Sequence, residues 1–97
     1  MTLQAFSDSL QREEPPGGVS KLLQALWYDG KNDWNRAHDL AQDINSDEGS
    51  WIHAYLHRKE GDAANAGYWY RRAKKPIPAI SLEDEWKQIA TALLQSR

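Results

Sequence analysis

At 97 residues the chain has the length of one domain with one core, and its 27% charged residues are offset by five Trp and four Tyr, more apolar surface than a disordered chain carries. A net charge of −2 excludes nucleic-acid binding driven by a general basic field, and the absence of cysteine excludes disulfides, thiolate metal ligands and a cysteine nucleophile. No apolar run approaches a membrane-crossing length, and residues 1–16 hold Asp8, Arg12, Glu13 and Glu14 where a signal peptide would be apolar, so the expectation is a soluble, cytoplasmic protein with no membrane partner.

In chain order, the first predicted helix covers residues 2–13, where Leu3, Phe6 and Leu10 form a narrow stripe suited to docking. Glu14-Pro15-Pro16-Gly17-Gly18 then breaks the helix. Val19, Leu22, Leu23, Leu26 and Trp27 give a helix over 19–29, which Gly30-Lys31-Asn32 ends. Asp33 is the natural N-cap of the next helix, 34–44, with Trp34, Ala37, Leu40, Ala41 and Ile44 on one side. Residues 45–49 read as a polar turn, followed by a helix over 50–60 that Gly61 stops. Asp62 caps a helix over 63–74 whose buried stripe is Ala63, Ala66, Trp69, Tyr70 and Ala73, and Pro76 and Pro78 follow it. Ser81 caps the last helix, whose first turn carries Glu83, Asp84 and Glu85 at the positive end of the helix dipole.

No segment alternates with strand period, so the fold class is all-α. One domain over residues 1–97 is expected: an N-terminal helix and loop (1–18), a first hairpin (19–45), a second hairpin (48–75) and a C-terminal capping helix (81–96). The two hairpins echo each other at an offset of 29 residues: Asp33 with Asp62, Ala37 with Ala66, Ala41 with Tyr70, Leu23 with Ile52 and Leu40 with Trp69. A helix-turn-helix unit with such a period points to an α-repeat whose hairpins bury their open faces on each other.

Ala54, Gly61, Ala66, Tyr70, Ala73 and Pro78 stand at spacings of 7, 5, 4, 3 and 5. In these positions the second hairpin resembles a tetratricopeptide repeat, with its small, turn, small, aromatic, small and proline residues. The resemblance covers about a third of the chain and implies a right-handed helical repeat that serves as a partner-binding scaffold. His57 departs from it, standing where the family prefers an aromatic, and so does the first hairpin, where Gly30 to Ala37 is seven residues in place of five. The string from His53 to Arg72 is also similar to a group of small helical proteins that share His-Ala, His-Arg, Glu-Gly-Asp, Asn-Ala and Tyr-Trp-Tyr elements. That likeness implies kinship and no activity.

Several polar residues exceed what a repeat requires. His53 and His57, four apart, share a helix face with Glu60 beside them, and His38 sits on the preceding helix of an antiparallel pair. The leading expectation is a binding module that takes a protein or peptide segment, or a small ligand, through Trp34, His38, His53, His57, Arg58, Glu60 and Tyr68, with self-association as a way of extending its shallow surface. The alternative is a metal-dependent or acid/base enzyme centred on His38, His53, His57 and Glu60. The HxxxH spacing lacks the Glu after its first His that marks a metalloprotease helix, Ala54 standing there, so no residue is assigned as a metal ligand and no cofactor is expected. No nucleophile elbow or phosphate loop is present, and no residue is assigned as catalytic. The basic cluster of Arg58, Arg71, Arg72, Lys74 and Lys75 reads first as helix-end charge, with Arg58 available to Glu60, to Asp62 or to the acidic last helix.

Overall fold

Every helix in this protein begins where a side-chain oxygen satisfies a backbone N–H that has no partner within the helix. Thr2 accepts from Ala5, Ser20 from Leu23, Asp33 from Arg36, Ser46 from Gly49, Asp62 from Asn65 and Ser81 from Asp84, all at 3.0 to 3.2 Å. In the computed structural model, which describes residues 1–95, these caps start α1 (Leu3–Asp8), α2 (Lys21–Gly30), α3 (Trp34–Gln42), α4 (Asp47–Lys59), α5 (Ala63–Ala73) and α6 (Leu82–Gln95). A 3₁₀ turn, Ser9–Gln11, extends α1. There is no strand among the described residues, so the fold is all-α. Ser96 and Arg97, assigned from the sequence to the capping helix and the domain's end, lie outside the described residues.

The caps of α3, α5 and α6 are the ones expected. The beginning of α4 differs: it starts at Asp47, three residues before the expected Ser50, because Ser46 is a cap and not part of a free turn. Asp47 and Glu48 then occupy the positive first turn, which a reading of polar residues as loop overlooks.

The turns between α2 and α3 and between α4 and α5 are the same structure 29 residues apart. Asn32 (φ 65°) and Gly61 (φ 90°) hold the left-handed positions, and Asp33 and Asp62 follow with nearly equal backbone angles. The backbone bonds correspond as well: Asn32 N–H to Asp29 and Gly61 N–H to Arg58, Asp33 N–H to Tyr28 and Asp62 N–H to His57. The turn residue of the first hairpin is therefore Asn32, not Gly30, and Asn32 to Ala37 has the same five-residue spacing as Gly61 to Ala66. Gly30 is helical and small for another reason: a Cβ there would meet the Leu10 Cδ2 at 2.9 Å.

Within each hairpin the helices pack closely, α2 on α3 and α4 on α5, while α3 against α4 joins the hairpins. Helix α4 is the centre of the molecule, with every residue from Gly49 to His57 buried. Instead of extending the stack at one end, α6 lies across α2 and α4, and α1 packs on α6. Phe6 stacks on Trp86 at 5.6 Å, and the Trp86 indole donates to the Leu26 carbonyl at 2.9 Å. Leu26, Ile52, Leu56 and Ile89 are fully buried at this junction, each worth about 1.5–3 kcal/mol of transfer free energy.

Charge fixes the seat of α6. Glu85, 1% exposed, accepts from Arg58 Nη1 at 2.7 Å, from Tyr70 Oη at 2.6 Å and from Trp51 Nε1 at 3.2 Å. Arg58 also donates to the Ile80 carbonyl just before α6. Burial, and then the Glu85 carboxylate, push the Tyr70 hydroxyl well above its usual pKa, so it stays a donor. Replacing Glu85 by Ala strands three donors, one of them charged. The expected cost is about 3–5 kcal/mol in urea unfolding, against about 1 kcal/mol for Tyr70→Phe, which leaves Arg58 paired.

Candidate functional site: a histidine cluster between the hairpins

Residues two apart on a helix point about 200° away from each other. With Trp51 and Tyr55 turned toward Glu85 and Asp29, His53 and His57 are therefore turned to the opposite side of α4, toward α3 and α5. There they meet His38 from α3, whose Nε2 lies 3.0 Å from His53 Nε2. One ring nitrogen from each of the three imidazoles falls within 4.8 Å of those of the other two. Glu60, at the end of α4, accepts from His57 Nδ1 at 2.6 Å.

Two tryptophans wall the cluster. Trp34 stacks on His38 with ring centres 4.9 Å apart and 12° between planes, and Trp69 stacks on His53 at 3.9 Å and 19°. Trp34 is itself fixed by its indole N–H, which donates to the Leu56 carbonyl at 2.8 Å. His53 and His57 stack on each other at 4.8 Å, so five rings form a continuous aromatic cluster. His53 and His57 are each 7% exposed, while His38, Trp34 and Trp69 are half-buried and form its outer rim.

Burial decides the charge of the cluster. It lowers the His53 pKa to about 4, with His38 and His57 adding to the effect, and it lowers His38 in the same direction, helped by His57. His53 is therefore a neutral imidazole at neutral pH. The 3.0 Å contact between the His38 and His53 Nε2 atoms accordingly has one ring as N–H donor and the other as acceptor. The Glu60 carboxylate lies 2.6 Å from His57 Nδ1, so that this ring nitrogen is taken and Nε2 is the one left over. Of the six ring nitrogens, His38 Nδ1, His53 Nδ1 and His57 Nε2 have no protein hydrogen-bond partner among the described residues, and none of them is a fully buried orphan. The cluster thus keeps donor and acceptor capacity that the protein itself does not use.

The structure brings together five of the seven predicted site residues, Trp34, His38, His53, His57 and Glu60. It places the other two elsewhere. Arg58 points to Glu85 and Ile80, the acidic-helix pairing open to it from the sequence, and is a structural group. Tyr68 is 45% exposed on α5, with Arg72 against its ring, and does not touch the histidines. Trp69, read from the sequence as part of a buried stripe, belongs to the site. Its one available signal was the 29-residue echo of Leu40, which sets it beside the hairpin junction.

A second polar cluster lies on the other side of α4. Buried Asp29 accepts from Tyr55 Oη at 2.8 Å and from Lys59 Nζ at 2.9 Å, at the edge of a cavity of about 440 Å³ lined by Leu10, Gly30, Leu82 and Trp86. Both its carboxylate oxygens are occupied by protein donors.

The depressed histidine gives the fold a pH signature. Because the unfolded chain binds a proton at His53 near pH 6.5 and the folded chain only near pH 4, His53 contributes stability above pH 6.5 that is lost as pH falls toward 4. The expected loss, on the order of 3 kcal/mol, is read from urea midpoints at pH 7 and pH 4.5, and a His53→Gln variant is expected to show a much flatter profile.

The chain matches no family model, and no curated protein or solved structure matches it either.

Proposed function

We propose that this chain is a tetratricopeptide-like helical-hairpin module that binds a small ligand or ion at the junction of its two hairpins, through His38, His53 and His57. The observation that carries this reading is the convergence of three imidazoles from two helices, with ring nitrogens unpaired by protein groups, between two tryptophan walls. The duplicated turn supports the repeat character, since its backbone bonds and capping aspartates recur at 29 residues. In tetratricopeptide-like scaffolds the inner helices offer the partner surface; here α6 lies across α2 and α4, which favours the outer junction as the binding place.

A small ligand fits this place better than a long peptide segment. Two of the three histidines are 7% exposed and Arg58 is held by Glu85, so an extended chain would find little to grip. Binding also fits better than turnover. The His57–Glu60 pair has the form of a base with an orienting carboxylate, yet the hydrogen bonds of the cluster include no hydroxyl that His57 could activate.

A fragment library screened by NMR against the ¹⁵N-labelled chain tests this. Hits are expected to shift the Trp34 and Trp69 indole signals, with affinity about tenfold weaker for His38→Ala, the equivalent of one lost contact of 1.4 kcal/mol. Hits that move only the Trp86 indole would transfer the binding role to the cavity beside Asp29 and end this reading.

A further inference from the structure

The geometry points to a divalent transition-metal ion of the zinc class as the ligand, bound by His38, His53 and His57, with Glu60 orienting His57. This rests on the histidine junction being the binding place. Three features select a metal over an organic ligand. The first is donor convergence: His38 Nε2 and His53 Nε2 are 3.0 Å apart, and a tetrahedral ion with imidazole nitrogens at 2.0–2.1 Å holds pairs of them about 3.3 Å apart. The two rings need only a few tenths of an ångström to open around an ion. The three donor atoms, all within 4.8 Å of one another, close on it by side-chain rotation.

The second feature is the support behind the donors. A metal-bound histidine characteristically gives its other ring N–H to a carboxylate, which sets the tautomer and the ring plane. Glu60 does this to His57 at 2.6 Å, and Trp34 and Trp69 hold the ring planes of His38 and His53 by stacking. The third is the chemistry of the set. Three imidazole nitrogens without thiolate suit zinc, cobalt, nickel or copper in the divalent state and do not suit magnesium or calcium, which require oxygen ligands. Coordination needs a lone pair on both His38 Nε2 and His53 Nε2, so the proton shared between them moves to the Nδ1 of the ring that donated it. No net proton is gained or lost in that shift.

Such an ion ties α3 to α4 and so fastens the first hairpin to the second. Titration of the chelator-treated full chain with ZnCl₂, followed by calorimetry and by a thermal melt at each zinc level, tests the assignment. One equivalent of zinc and a melting temperature that climbs with zinc are expected, with Co²⁺ giving the visible absorption of a low-coordinate nitrogen site. His38→Ala should abolish stoichiometric binding. Glu60→Gln, which changes a half-exposed side chain and leaves every ligand in place, should weaken zinc about 10- to 100-fold. Zinc uptake below one equivalent, or equal uptake by the parent chain and His38→Ala, overturns the metal assignment. If zinc fails while fragments still shift the Trp34 and Trp69 indoles, only the metal class falls and the junction remains the binding place. If both fail, the junction reading falls with it.

Discussion

The buried carboxylate of Glu85 sets the rotation of α4, and most of the architecture follows from that angle. It takes donors from Trp51 and Arg58 on α4 and from Tyr70 on α5, and so pins both helices of the second hairpin to α6. A charged group in this position costs desolvation free energy that well-placed donors offset, and in this rotation of α4 Trp51 and Arg58 supply them. Tyr55, on the same face, meets Asp29 of α2 and repeats the constraint one hairpin away. The histidine face is then turned from α6 as a matter of helical geometry.

That rotation gives the two sides of the hairpin pair different jobs. One side, formed by α2 and α4, is covered by α6 and α1 and closed by Phe6, Leu26, Trp86 and Ile89. On the other, buried His53 and His57 of α4 meet half-buried Trp34 and His38 of α3 and half-buried Trp69 of α5. Helix α6 thus occupies the side of the two hairpins that α2 and α4 present.

Much of this was legible in the sequence because it depends on local chemistry. Asp33, Asp62 and Ser81 identify their helix starts, and the HxxxH spacing with Glu60 three further on places the three groups on one arc. What was not legible depends on a neighbour. Ser46 was hidden in a polar run whose helical state is decided by the cap it makes to Gly49. Gly30 was taken as a turn residue because glycine usually is one, whereas its smallness serves Leu10 and Trp86, contacts made only after α1 and α6 dock. A helical wheel gives the direction of a side chain and not what waits there, which is why Arg58, near the histidines in sequence, belongs to Glu85, and Trp69, assigned to the core, belongs to the histidines.

The two faces of α4 carry polar clusters of opposite character, and the contrast bears on which of them acts. Toward α6, Glu85 and Asp29 have each carboxylate oxygen met by a protein donor, from Arg58, Tyr70, Trp51, Tyr55 or Lys59. Such networks orient helices, their acceptors already met from within the protein. Away from α6, three of six imidazole nitrogens have no protein hydrogen-bond partner among the described residues, although aliphatic side chains would fill the junction without any polar cost. Packing alone accounts for Glu85 and Asp29. It does not account for three imidazoles of which three ring nitrogens lack a protein hydrogen-bond partner among the described residues, and the proposed binding role rests on that surplus.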